Sequence, residues 1–264
     1  MQIAANEIRK CVAFIASKAV REEERATVFF VSQGIGGEPK EYVSFAVTAA
    51  HVIEGIDQPG NDGNTYLRLN TREHGAQHIA VPLSKWVKHD SSAVDIAVAP
   101  FDLDHDVYDH LCLPEELYLT DEIVASHKVE AGSDLFFPGL FDQHVHTSAN
   151  IPIIRAGTIA AMPGEPVNTT RGPTRAYLAE VRSIGGLSGS PVFVNVGWPY
   201  DRAVYFIGLL KGHFYVGSLA KQINTGIGIV IPADTITTVI AKPEFNEYRQ
   251  TAELDWKRKN GLGH

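Results

Sequence analysis

Apolar positions fall in short runs rich in Val, Ile, Phe and Tyr, each bounded by Gly, Pro, Asn or Asp. They occupy 11–16, 26–32 (ATVFFVS), 42–48 (YVSFAVT), 65–69, 94–99 (VDIAVA), 151–154, 177–182, 191–195 (PVFVN), 203–210 (AVYFIGLL) and 226–231 (GIGIVI). Runs of this length and composition predict β-strands. Helical periodicity is scarce. The segment 233–241 (ADTITTVIA), after Pro232, predicts a C-terminal helix, and a second helix is expected near 115–125, after Pro114. Strands without alternating helices indicate an all-β chain, not an α/β one. The stretch 101–150 is the least strand-like and is crowded with acids, from Asp102 to Glu122. It suggests two β halves, 1–112 and 130–245, with a connector at 113–129 and a surface tail at 246–264.

Composition narrows the class. The chain has 264 residues, 44% hydrophobic and 20% charged. That is globular, and long enough to bury a core without staples. Lys plus Arg number 23 against 31 Asp plus Glu, a formal net charge of -8. The balance argues against a dedicated nucleic-acid binder, which carries a basic face. Two cysteines, Cys11 and Cys112, are too few for a disulfide framework or a four-cysteine zinc site. Free thiols in a reducing compartment are the expectation, with one pairing left open. The amino-terminal residues lack a basic start before an apolar run, and Lys18 interrupts 11–20. Neither a signal peptide nor a membrane span is expected, and the expected location is cytoplasmic.

Three segments carry candidate chemistry. Val47-Thr48-Ala49-Ala50-His51 ends a β run in small residues and delivers a histidine. Val94-Asp95-Ile96-Ala97-Val98 sets an aspartate against an apolar strand, where a buried carboxylate needs partners. Gly185-Gly186-Leu187-Ser188-Gly189-Ser190 flanks a serine with glycines, which can turn successive N–H groups into one concavity. Each alone is adequately explained as a structural histidine, a strand-cap aspartate or a Gly/Ser turn. Together they form a set: serine needs a neutral imidazole to take its proton, and the imidazole needs a carboxylate to orient it. The order His51, Asp95, Ser188 on an all-β background matches one of the known triad arrangements.

TAAHV (48–52), DIAV (95–98) and GLSGSPVF (186–193) resemble the three catalytic motifs of trypsin-like serine proteases. GIGIVIPADTI (226–236) is similar to the closing strand and helix start of HtrA-like and other bacterial trypsin-like peptidases. The resemblance covers roughly residues 10–245. It implies a chymotrypsin-like fold of two six-stranded antiparallel β-barrels, with the site in the cleft between them. By position it makes Ser188 the nucleophile, His51 the general base and then acid, and Asp95 the orienting carboxylate. Gly186 and Ser188 would supply oxyanion-hole N–H groups. Leu210, Lys211 and Gly212 would pair with a polypeptide substrate as an added strand. Gly226 and Gly228 would shape the primary pocket. Arg182 would lie at its floor, favouring acidic side chains if it points inward and idle if it turns to solvent. No metal or organic cofactor is implied.

The departures also inform. Leu187 stands where zymogen-activated members have Asp, and too few residues follow Phe245 for a PDZ-like module. His144 and His146 alternate as metal ligands can, without a nearby third ligand, and Gly34-Ile35-Gly36-Gly37 suits a hairpin turn. The expected activity is a serine endopeptidase acting on polypeptides, with control by a protein partner plausible and no membrane or nucleic-acid partner. The alternative is a pseudoprotease or binding module that keeps the fold. An α/β-hydrolase esterase is excluded by the triad order and by Ser190 where its elbow requires Gly.

Overall fold

The apolar runs form two separate β systems. The structure is a computed structural model and describes residues 5–20, 24–35, 41–141, 146, 148–181, 186–196, 203–218 and 221–261. The first system comprises β1 (Val12–Ala16), β2 (Glu24–Ile35), β3 (Glu41–Thr48), β4 (Asn64–Thr71), β5 (Gly75–Pro82), β6 (Val87–Lys88), β7 (Ala97–Pro100) and β8 (Leu113–Pro114). Their order is β5-β4-β1-β2-β3-β7-β6, with β8 parallel on β2. This half is therefore a curled, eight-stranded half-barrel and not a closed six-stranded one. Strand β2 is long enough to pair with β1 through Phe29 and with β3 from Phe29 to Ile35. Of the residues expected to make a turn, Gly34 and Ile35 belong to β2 and pair with Tyr42 and Glu41, while Gly36 and Gly37 lie outside the described residues.

The second system contains β9 (Asp134–Gly139), β10 (Ile153–Ala161), β13 (Tyr177–Glu180), β14 (Pro191–Val196), β15 (Ala203–Ser218) and β16 (Lys221–Pro232). These six close into a barrel in the order β10-β13-β16-β15-β14-β9. A separate hairpin of β11 (Val167–Thr169) and β12 (Gly172–Thr174) leaves the barrel between β10 and β13. Strand β9 falls in the stretch 101–150, the least strand-like in the sequence, because Leu135-Phe136-Phe137 is a very short apolar run before Pro138. All three are nonetheless buried, within the barrel wall.

The halves meet through aromatic side chains. Phe29 of β2 stands edge-on to Phe206 at 5.4 Å, and Phe206 also contacts Phe193 and Tyr118. Phe136 stacks on Phe193 at 5.4 Å. Such pairs contribute about 0.5–1.5 kcal/mol each beyond area burial, so the two halves share one core beneath the cleft.

Helix α1 (Ala5–Ile8) precedes the first sheet and α2 (Ala50–Ile56) follows β3. The expected helix near 115–125 is a 3-10 turn at Glu115–Leu117 followed by α3 (Asp121–His127), whose start is capped by the Thr120 hydroxyl. The C-terminal helix is present as α4 (Ala233–Ile240). The segment 246–264 is not a simple tail: α5 (Asn246–Lys259) covers most of it. Tyr248, Ala252 and Trp256 recur every four residues and form a narrow stripe. The Tyr248 hydroxyl donates to the Ser44 carbonyl at 3.1 Å and Trp256 is buried. Among the described residues, no helix is long and apolar enough to cross a membrane.

Candidate active site

Thr48 ends β3, and Ala49 turns the chain directly into α2. Val52, Ile53 and Ile56 of that helix bury against the core. His51 is left to the side, its side chain 38% exposed. Asp95 precedes β7 and is fully buried. Its carboxylate grips the histidine twice: the His51 backbone N–H donates to Oδ1 at 2.8 Å, and Nδ1 lies 2.7 Å from Oδ2. A ring nitrogen facing a carboxylate carries the proton, so Nε2 is the free acceptor. Burial alone would push the Asp95 carboxyl up. The hydrogen bonds and charge of His51, with the charge of Arg171, outweigh it and hold the group below the ordinary carboxylate value.

The Ser188 loop reaches the same place from the second half. Gly186 and Gly189 adopt φ of 86° and 88°, the left-handed region that glycine enters freely. Gly189 also needs its missing side chain, since a Cβ there would lie 2.1 Å from the Thr27 carbonyl oxygen and 2.5 Å from Thr48 Oγ1. Thr48 is three residues before His51, so the Ser188 loop packs against the end of the strand that leads to the imidazole. Ser188 is half-buried and makes no hydrogen bond to His51. Serine–histidine contacts are often long until substrate closes them. Leu187 is fully buried in the second half's apolar cluster.

The predicted substrate strand divides in two. Leu210 is already engaged: its N–H donates to the Ser190 carbonyl at 2.8 Å, and its own carbonyl accepts from Gly189 N–H at 2.9 Å. It anchors the Ser188 loop with its N–H and carbonyl both already hydrogen-bonded, a correction to its expected pairing role. At Lys211 the β15–β16 register shifts, a bulge of the kind that re-aims side chains. The Lys211 ammonium turns inward and donates to Thr169 Oγ1 at 2.9 Å. Burial pushes its pKa down, against the pull of the Asp95 charge. Gly212 has open space around it. Gly226, at φ 79°, helps line a groove of about 780 Å³ with Arg155, Thr158 and Glu180. Gly228 lies deeper, packed between Val181 and Leu210. Arg182 and His144 lie outside the described residues, and Cys11 and Cys112 are free thiols.

Three residues were not visible as site residues in the sequence: Thr27, Glu54 and Arg171. Arg171, at the tip of the β11–β12 hairpin, crosses the cleft and pairs through both terminal guanidinium nitrogens with Glu54 of α2. Lys88 also approaches Glu54, at 3.4 Å. The hydrogen bond from Arg171 holds the Glu54 carboxyl below its ordinary value. Folded Asp95 and Glu54 thus take up protons at lower pH than they do unfolded. The stability they contribute is complete above the unfolded values, about pH 4, and is lost as pH falls through the folded ones. The melting temperature should accordingly drop in acid below that range, and less steeply in Glu54→Gln. Parallel slopes in a melting series at descending pH would contradict this account of Glu54.

No protein-family profile matches the chain, and no curated protein does. Solved structures do. The protease domain of MamO from Magnetospirillum magneticum, in its apo form, aligns over 89% of this chain and 98% of that one. The identity is 15% and the TM-score 0.58. Human heparin binding protein aligns over 92% of this chain and 96% of its own, at 14% identity and a TM-score of 0.52. A closed six-stranded barrel beside a curled half-barrel is the chymotrypsin-like fold, which this chain shares with the MamO protease domain.

Proposed function

We propose that this chain is a serine endopeptidase that hydrolyses peptide bonds through His51, Asp95 and Ser188 and an acyl-enzyme intermediate. The observation that carries the reading is the double grip of buried Asp95 on His51, which orients the ring and leaves Nε2 as the free acceptor. In this reading His51 takes the Ser188 proton as the hydroxyl oxygen attacks the scissile carbonyl carbon. The N–H groups of Gly186 and Ser188 receive the oxyanion, and His51 returns the proton to the leaving amine. Water then repeats the sequence on the acyl-enzyme. The substrate strand pairs along Lys211 and Gly212, and the groove beside Gly226 takes the side chain before the scissile bond. Whether Arg182 makes that groove favour acidic residues is part of the proposal. So are control by a protein partner and a cytoplasmic location, the latter resting on the two free thiols.

A second reading has its own support. Heparin binding protein shares the fold, and a fold does not decide an activity. A binding module would use the same cleft without turnover. The net charge of -8 disfavours a polyanion as its ligand.

A fluorophosphonate probe separates the two. The enzyme reading expects one covalent adduct, mapped by mass spectrometry to Ser188. Intact, folded protein that takes no adduct would leave only the binding module. Peptide-library profiling would then define the residue accepted before the cleaved bond.

Leu187 bears on activation. It offers no charge to a buried terminal ammonium, and burying such a cation unpaired costs several kcal/mol. An uncleavable N-terminal extension should therefore leave the labelling rate unchanged. If the extended protein were inert until trimmed to one defined terminus, activation by a freed amino group would be operating after all.

A further inference from the structure

We propose that Thr27, a residue of the first half, is a positioning residue that holds the Gly186–Ser188 backbone in its oxyanion-receiving form, so that the site is assembled without cleavage of the chain. The inference rests on the serine-peptidase reading and adds how that site is regulated.

Thr27 is fully buried, and every polar atom it has is engaged. Its backbone N–H donates to the Ser188 carbonyl at 3.0 Å. Its hydroxyl donates to the Gly186 carbonyl at 2.8 Å and accepts from Leu140 N–H at 3.1 Å. Its own carbonyl accepts from Thr48 Oγ1 at 2.8 Å, which ties the arrangement to the strand leading to His51. Two carbonyls of the nucleophile loop, on either side of Leu187, are thus fastened to one residue of the opposite half. The N–H groups of Gly186 and Ser188 have no acceptor among the described residues, so they remain available donors.

The hydroxyl matters because of what it holds. Gly186 sits at φ 86° and, as glycine, has little intrinsic barrier to rotating its flanking peptides. The Ser188 carbonyl keeps its bond to the Thr27 backbone whatever side chain stands at 27. The Gly186 carbonyl does not, since it is held by the hydroxyl alone. Removing the hydroxyl frees the peptide next to the oxyanion donor and leaves Ser188 in place. The expected signature is a defect in the chemical step and not in binding.

Thr65 supplies a matched control. It is fully buried in the same sheet, and its hydroxyl likewise donates to a carbonyl, that of Val81, and accepts an N–H, that of Trp86. It lies away from the cleft loop. Phosphonylation by a fluorophosphonate would be followed as the limiting rate at saturation and the probe concentration giving half of it, alongside thermal melting. Thr27→Val should lower the limiting rate by about ten- to a hundredfold while the half-saturating concentration stays the same. Thr27→Ser should restore most of the rate, and Thr65→Val should lose stability without losing rate. Thr27→Ala removes the same hydroxyl and repeats the comparison if valine cannot be accommodated. An unchanged rate in Thr27→Val, a loss confined to half-saturation, or an equal loss in Thr65→Val would each overturn the role of Thr27. Wild-type protein that never labels would instead overturn the peptidase reading, and this inference with it.

Discussion

Ser188→Ala should abolish covalent labelling and lower turnover by on the order of 10⁶-fold, because nucleophile and base act as one unit. Folding should survive the change. Ser188 is only half-buried, and its known anchor is its backbone carbonyl on Thr27, which alanine retains. Ser190 is the informative comparison. It is two residues away and fully buried, its hydroxyl has no hydrogen-bond partner among the described residues, and it faces the backbone of Gly139. Ser190→Ala removes an unsatisfied buried hydroxyl and should leave both labelling and stability close to wild type. Labelling that survived in Ser188→Ala and vanished in Ser190→Ala would show that the nucleophile had been assigned to the wrong serine.

Asp95→Asn should slow labelling by about 10⁴-fold. The carboxylate accepts two hydrogen bonds, from the His51 backbone and from Nδ1. An amide has one accepting oxygen and one donating NH₂. If the oxygen keeps the backbone N–H, the NH₂ faces Nδ1 and forces the ring proton onto Nε2, where it blocks acceptance from Ser188. Turning the amide restores the tautomer and leaves an N–H facing an N–H at the start of α2. Either way the buried group loses the negative charge that offsets those of Arg171 and Lys211. The melting temperature should fall as well, so the comparison requires conditions under which the variant is folded. A labelling rate within tenfold of wild type under those conditions would show that Asp95 does not orient the base.

The all-β class and the three chemical motifs were legible because each is a local pattern. Runs such as ATVFFVS and PVFVN match β2 and β14, and the glycines around Ser188 announce the left-handed backbone found at Gly186 and Gly189. Local pattern failed where the signal was thin. Strand β9 rests on three apolar residues before a proline. The stripe of α5 is one residue wide on a charged helix, and its burial depends on the outer face of β2 and β3 being there to receive it.

What only the tertiary structure decided are the meetings across the cleft. Thr27 reaches Gly186 over 159 residues of sequence, and Arg171 reaches Glu54 over 117. A threonine within an apolar strand and an arginine at a hairpin tip look the same whether or not such partners exist. The fate of Leu210 and Lys211 was equally hidden: one is engaged in holding the Ser188 loop, and the other, at a bulge, turns inward onto Thr169. The sequence alone determined which residues are candidates for the chemistry, since hydrogen-bonding capacity and backbone permissiveness belong to residue type. Which carbonyl a hydroxyl finds, and which charges share one desolvated space, depends on how two sheets pack. That was settled by the common aromatic core of Phe29, Phe136, Phe193 and Phe206, which brings the two halves to the same cleft.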